Sequence, residues 1–216
     1  MTIELEKVKP LEIEARSFEI ITKELGDFPL IPGTEAIVKR CIHTSADFDY
    51  ARNLCFSDHA VEKGLDAIQK GAVIVTDTQM ARAGINKTIL SRYGGEAACF
   101  MSDADVAEQA RKNGSTRAAA CMDKAAALSR PVIFAIGNAP TALVRLYDLM
   151  KENRIRPELI IGVPVGFVNV VQSKELIMQA QAPYIVAKGR KGGSNIAACI
   201  VNALLYMLSE DRGYGD

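Results

Sequence analysis

Apolar positions change their period about a third of the way along the chain. Ahead of residue 72 they recur at helical spacing. Pro10 suits a first helical turn, and Ile13, Ser17, Ile20 and Ile21 fall near one face, so the spacing predicts a helix over 10–25. Residues 27–33 form a loop rich in proline and glycine. A second helix is expected over 34–43, and a third capped by Ser57, with Val61, Leu65 and Ile68 as its buried stripe. Beyond it come five short, nearly all-apolar runs: 72–76 (closed by Asp77), 97–101, 131–136, 159–163 and 183–187. Such runs do not alternate, which fits strands buried on both faces of a parallel sheet. Helical stretches are expected over 116–129, 141–153, 170–181 and 194–209. Strand and helix in alternation predict an α/β fold: three αβα layers, a mostly parallel open sheet and extra N-terminal helices. No linker, repeat or low-complexity stretch interrupts the chain, so residues 1–216 are expected to form a single domain.

Composition narrows the function classes. Twenty-six basic and 26 acidic residues balance to a formal charge of +0, against a general nucleic-acid surface. No apolar run is long enough to cross a membrane. The opening Met1-Thr2-Ile3-Glu4-Leu5-Glu6 is mixed and acidic, unlike a secretory signal, so a cytoplasmic protein is expected. The five cysteines (41, 55, 99, 121 and 199) are scattered, without Cys-x-x-Cys, and read as free thiols in a reducing compartment. No histidine or cysteine pair has metal-ligand spacing, so no protein-bound metal is expected.

Chemistry is expected at the carboxyl ends of the strands, where open parallel sheets bind ligands. Three exits are unusual: Gly137-Asn138-Ala139-Pro140-Thr141, Gly162-Val163-Pro164-Val165-Gly166-Phe167-Val168-Asn169 and Lys188-Gly189-Arg190-Lys191-Gly192-Gly193-Ser194. Any one is explained by a tight strand-to-helix turn. Three on one edge favour a large ligand carrying several carboxylates or phosphates, met by glycine-lined backbone and helix N-termini. Gly137, Asn138, Gly166, Gly192 and Gly193 are the candidates. None of the loops matches a nucleotide signature, so a dinucleotide-dependent oxidoreductase is an alternative with little support.

Thr116 or Ser115 can cap the alanine-rich helix. Arg117 stands at the end where the helix dipole does not favour a cation, and an anionic ligand would account for it. On the second helix Arg40 and His43 are three apart and share a face. A cation beside an imidazole suits an acidic substrate that needs a proton moved. Arg16-Ser17 is ambiguous, since a solvated arginine and a neutral serine would explain it. His59, beside Asp58, reads as surface.

The blocks Arg16-Ser17-Phe18, Arg40-Cys41-Ile42-His43, Gly137-Asn138-Ala139-Pro140-Thr141-Ala142-Leu143, Gly162-Val163-Pro164-Val165-Gly166-Phe167-Val168 and Gly189-Arg190-Lys191-Gly192-Gly193-Ser194 occur in that order. Together they resemble the precorrin-8X methylmutase family of cobalamin biosynthesis, from about residue 10 to the last helix. The resemblance implies an isomerase that moves a methyl group between neighbouring carbons of ring C of a corrinoid, without an external methyl donor or a cofactor. The product would be hydrogenobyrinate, or cobyrinate from the cobalt form. The family's catalytic histidine falls on His43, and its substrate-binding serine and arginine on Ser17 and Arg40. The resemblance also implies a homodimer, with the pocket near the subunit interface. Cys41 is read as packing, because the shift needs no covalent intermediate. A non-catalytic corrinoid carrier is the reading from another class.

Overall fold

A computed structural model describes residues 5–209; the reading of Met1-Thr2-Ile3-Glu4 lies outside them. Pro10 opens a 3₁₀ turn, Pro10–Glu12, which runs into α1, Ile13–Leu25. Only Ile21 of its expected apolar face is buried; Ile13 and Ile20 are exposed. Helix α2, Glu35–Ser45, buries Ile37, Val38, Cys41 and Ile42 and stops where Ala46 turns left-handed (φ 53°). A single turn, α3 (Tyr50–Asn53), leads into β1, Leu54–Phe56, which is absent from the sequence reading. Three residues are too few to show a period.

Helix α4, Ala60–Gln69, buries Val61 and Ile68 as expected, but its N-cap is His59, left-handed and exposed, not Ser57. The pairing of β1 with the last strand has taken Ser57 away. Its Oγ accepts from the backbone N–H of Tyr184 at 2.9 Å, pinning the sheet edge.

The remaining strands are β2 (Val73–Thr76), β3 (Glu96–Ala98), β4 (Val132–Ile136), β5 (Leu159–Gly162) and β6 (Tyr184–Ala187). Strand β3 ends at Ala98, so residues 99–101 leave the sheet. Three short helices between β2 and β4 were not foreseen: α5 (Gln79–Gly84), α6 (Lys87–Arg92) and α7 (Ala104–Lys112). The expected helices follow as α8 (Arg117–Ala125), α9 (Pro140–Lys151), α10 (Val170–Gln179) and α11 (Ser194–Leu208).

The six strands lie in the order β1-β6-β5-β4-β2-β3, parallel except for β1 against β6. Strand residues alternate between two cores. Ile74, Ile133, Ile161 and Ile185 pack with α2, α4 and α11; Val75, Phe134, Ile160 and Val186 pack with α8, α9 and α10. This is the expected αβα sandwich, with α1 added outside α2. Among the described residues no helix is long and apolar enough to cross a membrane, and all five cysteines are free.

Candidate functional site

Helices α1 and α2 bring three of the sequence candidates together. Ser17 Oγ and His43 Nδ1 are 2.9 Å apart. One ring nitrogen of the imidazole is thereby held by a hydroxyl, and Nε2 has no protein partner among the described residues. The Phe18 ring meets the imidazole edge-on, with centroids 5.5 Å apart, which further limits its rotation. His43 itself is exposed. A fixed imidazole with one open nitrogen can deliver a proton or a strong hydrogen bond to a ligand lying on this surface.

Arg40 is not the free cation that its sequence position suggested. Its guanidinium donates to Glu14 Oε1 at 2.6 Å and lies over the rings of Phe18 and Tyr206, at 5.2 and 4.7 Å. Its side chain is 13% exposed, so it props α1 against α2 and α11 while keeping one edge near solvent. A hollow of about 290 Å³ lies beside it, lined by Phe18, Lys39 and Tyr206 among others. The next residue, Cys41, is fully buried. A hydrogen bond with Cys199, then burial, pushes its thiol well above the ordinary range. It is packing, and a poor nucleophile.

The glycine loops do meet at the carboxyl edge, but they bind one another. Between β2 and β4, where the chain reverses direction across the sheet, Asp77 fills the crevice. Its carboxylate accepts from the backbone N–H groups of Gly137, Asn138 and Ala139 at 2.9, 2.8 and 2.6 Å. The backbone N–H groups of Gly137 and Asn138 therefore go to Asp77 and not to an anion, while the Asn138 side chain stays exposed. Burial pushes the Asp77 carboxyl above its usual value, against the three N–H donors. Gly137 is required for a different reason: a Cβ there would sit 2.6 Å from Ser194 Cα and 2.7 Å from the Gly193 carbonyl.

The other two loops interlock in the same way. Gly193 N–H donates to Val163 O at 2.8 Å and Gly166 N–H to Arg190 O at 3.1 Å. Any Cβ at Gly192 would run into the Val163 carbonyl. The N–H groups of Gly166 and Gly193 are thus taken within the protein, while Gly192 is fixed by its close approach to the Val163 carbonyl, and all three shape the rim. From this rim Lys191 reaches Asp47 and Asp49 at 2.6 and 2.7 Å. Those acids follow α2 directly, so the ion pairs join the loops to the helix that carries His43. Val165, Phe167 and Val168 stand exposed, with Arg190 over the Phe167 ring at 5.3 Å.

Thr116 and Arg117 lie in the other helical layer. Thr116 is the N-cap of α8, accepting from Ala119 N–H at 3.1 Å and sharing a hydrogen bond with Thr141 at 2.8 Å. The capping role thus accounts for Thr116, and neither residue touches Ser17, Arg40 or His43. Arg117 is exposed at the helix start, on a hollow it shares with Arg111 and Ser115. A larger hollow, about 570 Å³, lies at the opposite sheet edge beside Ile155, Pro157 and Ala182. It holds no imidazole or carboxyl group, and the reactive chemistry is not there.

Sequence reasoning missed Glu14, Phe18, Tyr206, Asp77 and Lys174. Two of these left a signal. Asp77 is an acid directly closing an apolar strand. Lys174 occupies a stripe position of α10 between the buried Val170 and Ile177. Among the described residues no three of the histidines, cysteines, aspartates and glutamates gather as a metal site.

Comparison with known proteins adds a family. Residues 12–207 match the model of the precorrin-8X methylmutase family. The chain is 45% identical to the cobalt-precorrin-8 methylmutase of Priestia megaterium, over 91% of this chain and 88% of that one. It is 46% identical to the cobalt-precorrin-8 methylmutase of Salmonella typhimurium, over 94% and 97%. The crystal structure of precorrin-8x methyl mutase from Thermus thermophilus superposes with a TM-score of 0.84 at 38% identity, covering 92% of this chain and 98% of that one.

Proposed function

The chain belongs to the precorrin-8X methylmutase family, and from that premise we propose how its surface performs the family's reaction. The protein is an isomerase of cobalamin biosynthesis that catalyses the methyl shift of precorrin-8X or its cobalt form. The relatives at 44–46% identity are named for cobalt-precorrin-8; this supports the cobalt form as the natural substrate.

His43 is the catalytic residue in this reading, and the observation that carries it is the 2.9 Å contact with Ser17. Ser17 holds Nδ1, leaving Nε2 to give a proton or strong hydrogen bond to a nitrogen of the macrocycle. Charge drawn toward that nitrogen weakens the migrating methyl's bond to its original carbon and favours the shift. The remainder of catalysis is positioning, the methyl held over its destination by a shaped surface. Arg40 meets a substrate carboxylate by sharing or exchanging its partner Glu14. Arg117 offers a second cation from the opposite layer. A second copy of the chain completes the pocket: His43 lies on an open surface, and Ile20 of α1 is exposed as well.

An anaerobic absorbance assay with metal-free precorrin-8X and with its cobalt form tests the reaction. Conversion to the rearranged corrin spectrum without change of mass is expected, faster for the cobalt form. Binding of both pigments with no spectral conversion would instead favour the carrier.

A further inference from the structure

Lys174 is buried at 1% exposure on α10, and nothing in the reaction so far uses it. A buried ammonium is costly unless it is paired. Among the described residues no carboxylate pairs with this one. Its Nζ donates instead to two backbone carbonyls of a single turn, Gly189 O and Lys191 O, each at 2.8 Å. A methionine of similar length would fill the space without the desolvation cost. The charge therefore serves the turn it holds more than the stability of the helix that carries it.

That turn is the link between the glycine loops and the histidine. Its Arg190 carbonyl takes the N–H of Gly166, and its Arg190 side chain covers Phe167. Its Lys191 reaches Asp47 and Asp49, just past the helix of His43. Lys174 grips the turn from inside while Lys191 ties it to α2 from outside. We propose that Lys174 is a positioning residue for substrate binding: it holds residues 188–193 so that Arg190 and the glycine rim meet the corrinoid in register with His43. This rests on the methylmutase reading given above.

The test pairs corrinoid binding, read by spectral titration, with steady-state kinetics and thermal unfolding of Lys174→Met, Lys174→Gln and Lys191→Ala. Lys174→Met is expected to unfold at or above the wild-type temperature at neutral pH, yet to raise Kd and KM about tenfold with kcat within about twofold. Lys174→Gln, whose shorter, uncharged amide can still donate toward the turn, should recover part of the affinity lost in Lys174→Met. Lys191→Ala, a surface change on the same turn, should raise Kd about threefold. Unchanged Kd in Lys174→Met, or a loss of kcat that merely follows a fall in unfolding temperature, overturns the proposal. If Lys174→Met does not fold, the Kd of Lys191→Ala decides in the same direction. Wild-type protein that binds without turnover would sink the isomerase reading and leave the Kd comparison standing; wild-type protein that does not bind would sink both.

Discussion

At the residue scale the account turns on one imidazole and the hydroxyl that orients it. Ser17 touches His43 and no other side chain in the hydrogen-bond network of α1 and α2. Ser17→Ala should leave folding unchanged and lower kcat roughly tenfold, the cost of about 1.4 kcal/mol for a lost orienting hydrogen bond. Steady-state kinetics beside circular dichroism reads this, and an unchanged kcat would mean that the contact is incidental. His43 and Arg40 were legible in the sequence because three-residue spacing on a helix predicts a shared face. That Arg40 is held by Glu14 was not. Glu14 lies 26 residues away in the chain, and no local pattern indicates which of many surface acids will be the partner.

At the element scale the expected sheet stands because β2, β4, β5 and β6 are rich in valine and isoleucine that cannot be left exposed. Most of the missed elements are too short to show a period: β1 with three residues, α5 and α6 with six each; α7, with nine, buries only Val106 and Ala110, a stripe of two. The glycine loops lie on one edge as expected, and the protein itself takes several of the backbone N–H groups that the sequence offered to a ligand. The residue that closes the first loop, Asp77, lies 60 positions upstream of Gly137. Asp77→Ala should destabilise the protein by about 2–4 kcal/mol, since it strands backbone donors that are otherwise satisfied by a buried charge. Urea unfolding measures it, and a loss under about 0.5 kcal/mol would deny Asp77 this role.

Lys174 makes a pH prediction of the opposite sense from an ordinary ion pair. Burial lowers its pKa from 10.5 to about 8. Below about 8 both the folded and the unfolded chain carry the charge, and the fold bears its full cost. Between about 8 and 10.5 the unfolded chain binds more protons, so stability rises with pH, by up to about 1.4 kcal/mol per unit. The unfolding free energy of wild type minus that of Lys174→Met should therefore climb across this window and level off above it. A flat difference would mean that Lys174 is not desolvated in solution.

At the scale of the whole molecule the fold delivers both halves of the surface to one edge of the sheet. The α1–α2 pair brings the imidazole, the interlocked loops bring a rigid rim, and Lys191 joins them through Asp47 and Asp49. One chain leaves this surface open. Ile13 on α1 and Phe167 on the rim are 55% and 80% exposed. The second copy proposed above would cover side chains of this kind. Sedimentation should give about twice the 23.4 kDa of one chain, and a monomer at micromolar concentration would remove the second copy from the pocket. The central claim is that His43 drives the rearrangement of a bound corrinoid. The most direct measurement is single-turnover absorbance under anaerobic conditions, comparing wild type with His43→Ala on saturating substrate. The account predicts that the variant binds the pigment with Kd within about threefold of wild type and rearranges it about 10²–10⁴ times more slowly. A variant that binds and rearranges the pigment at the wild-type rate would contradict it.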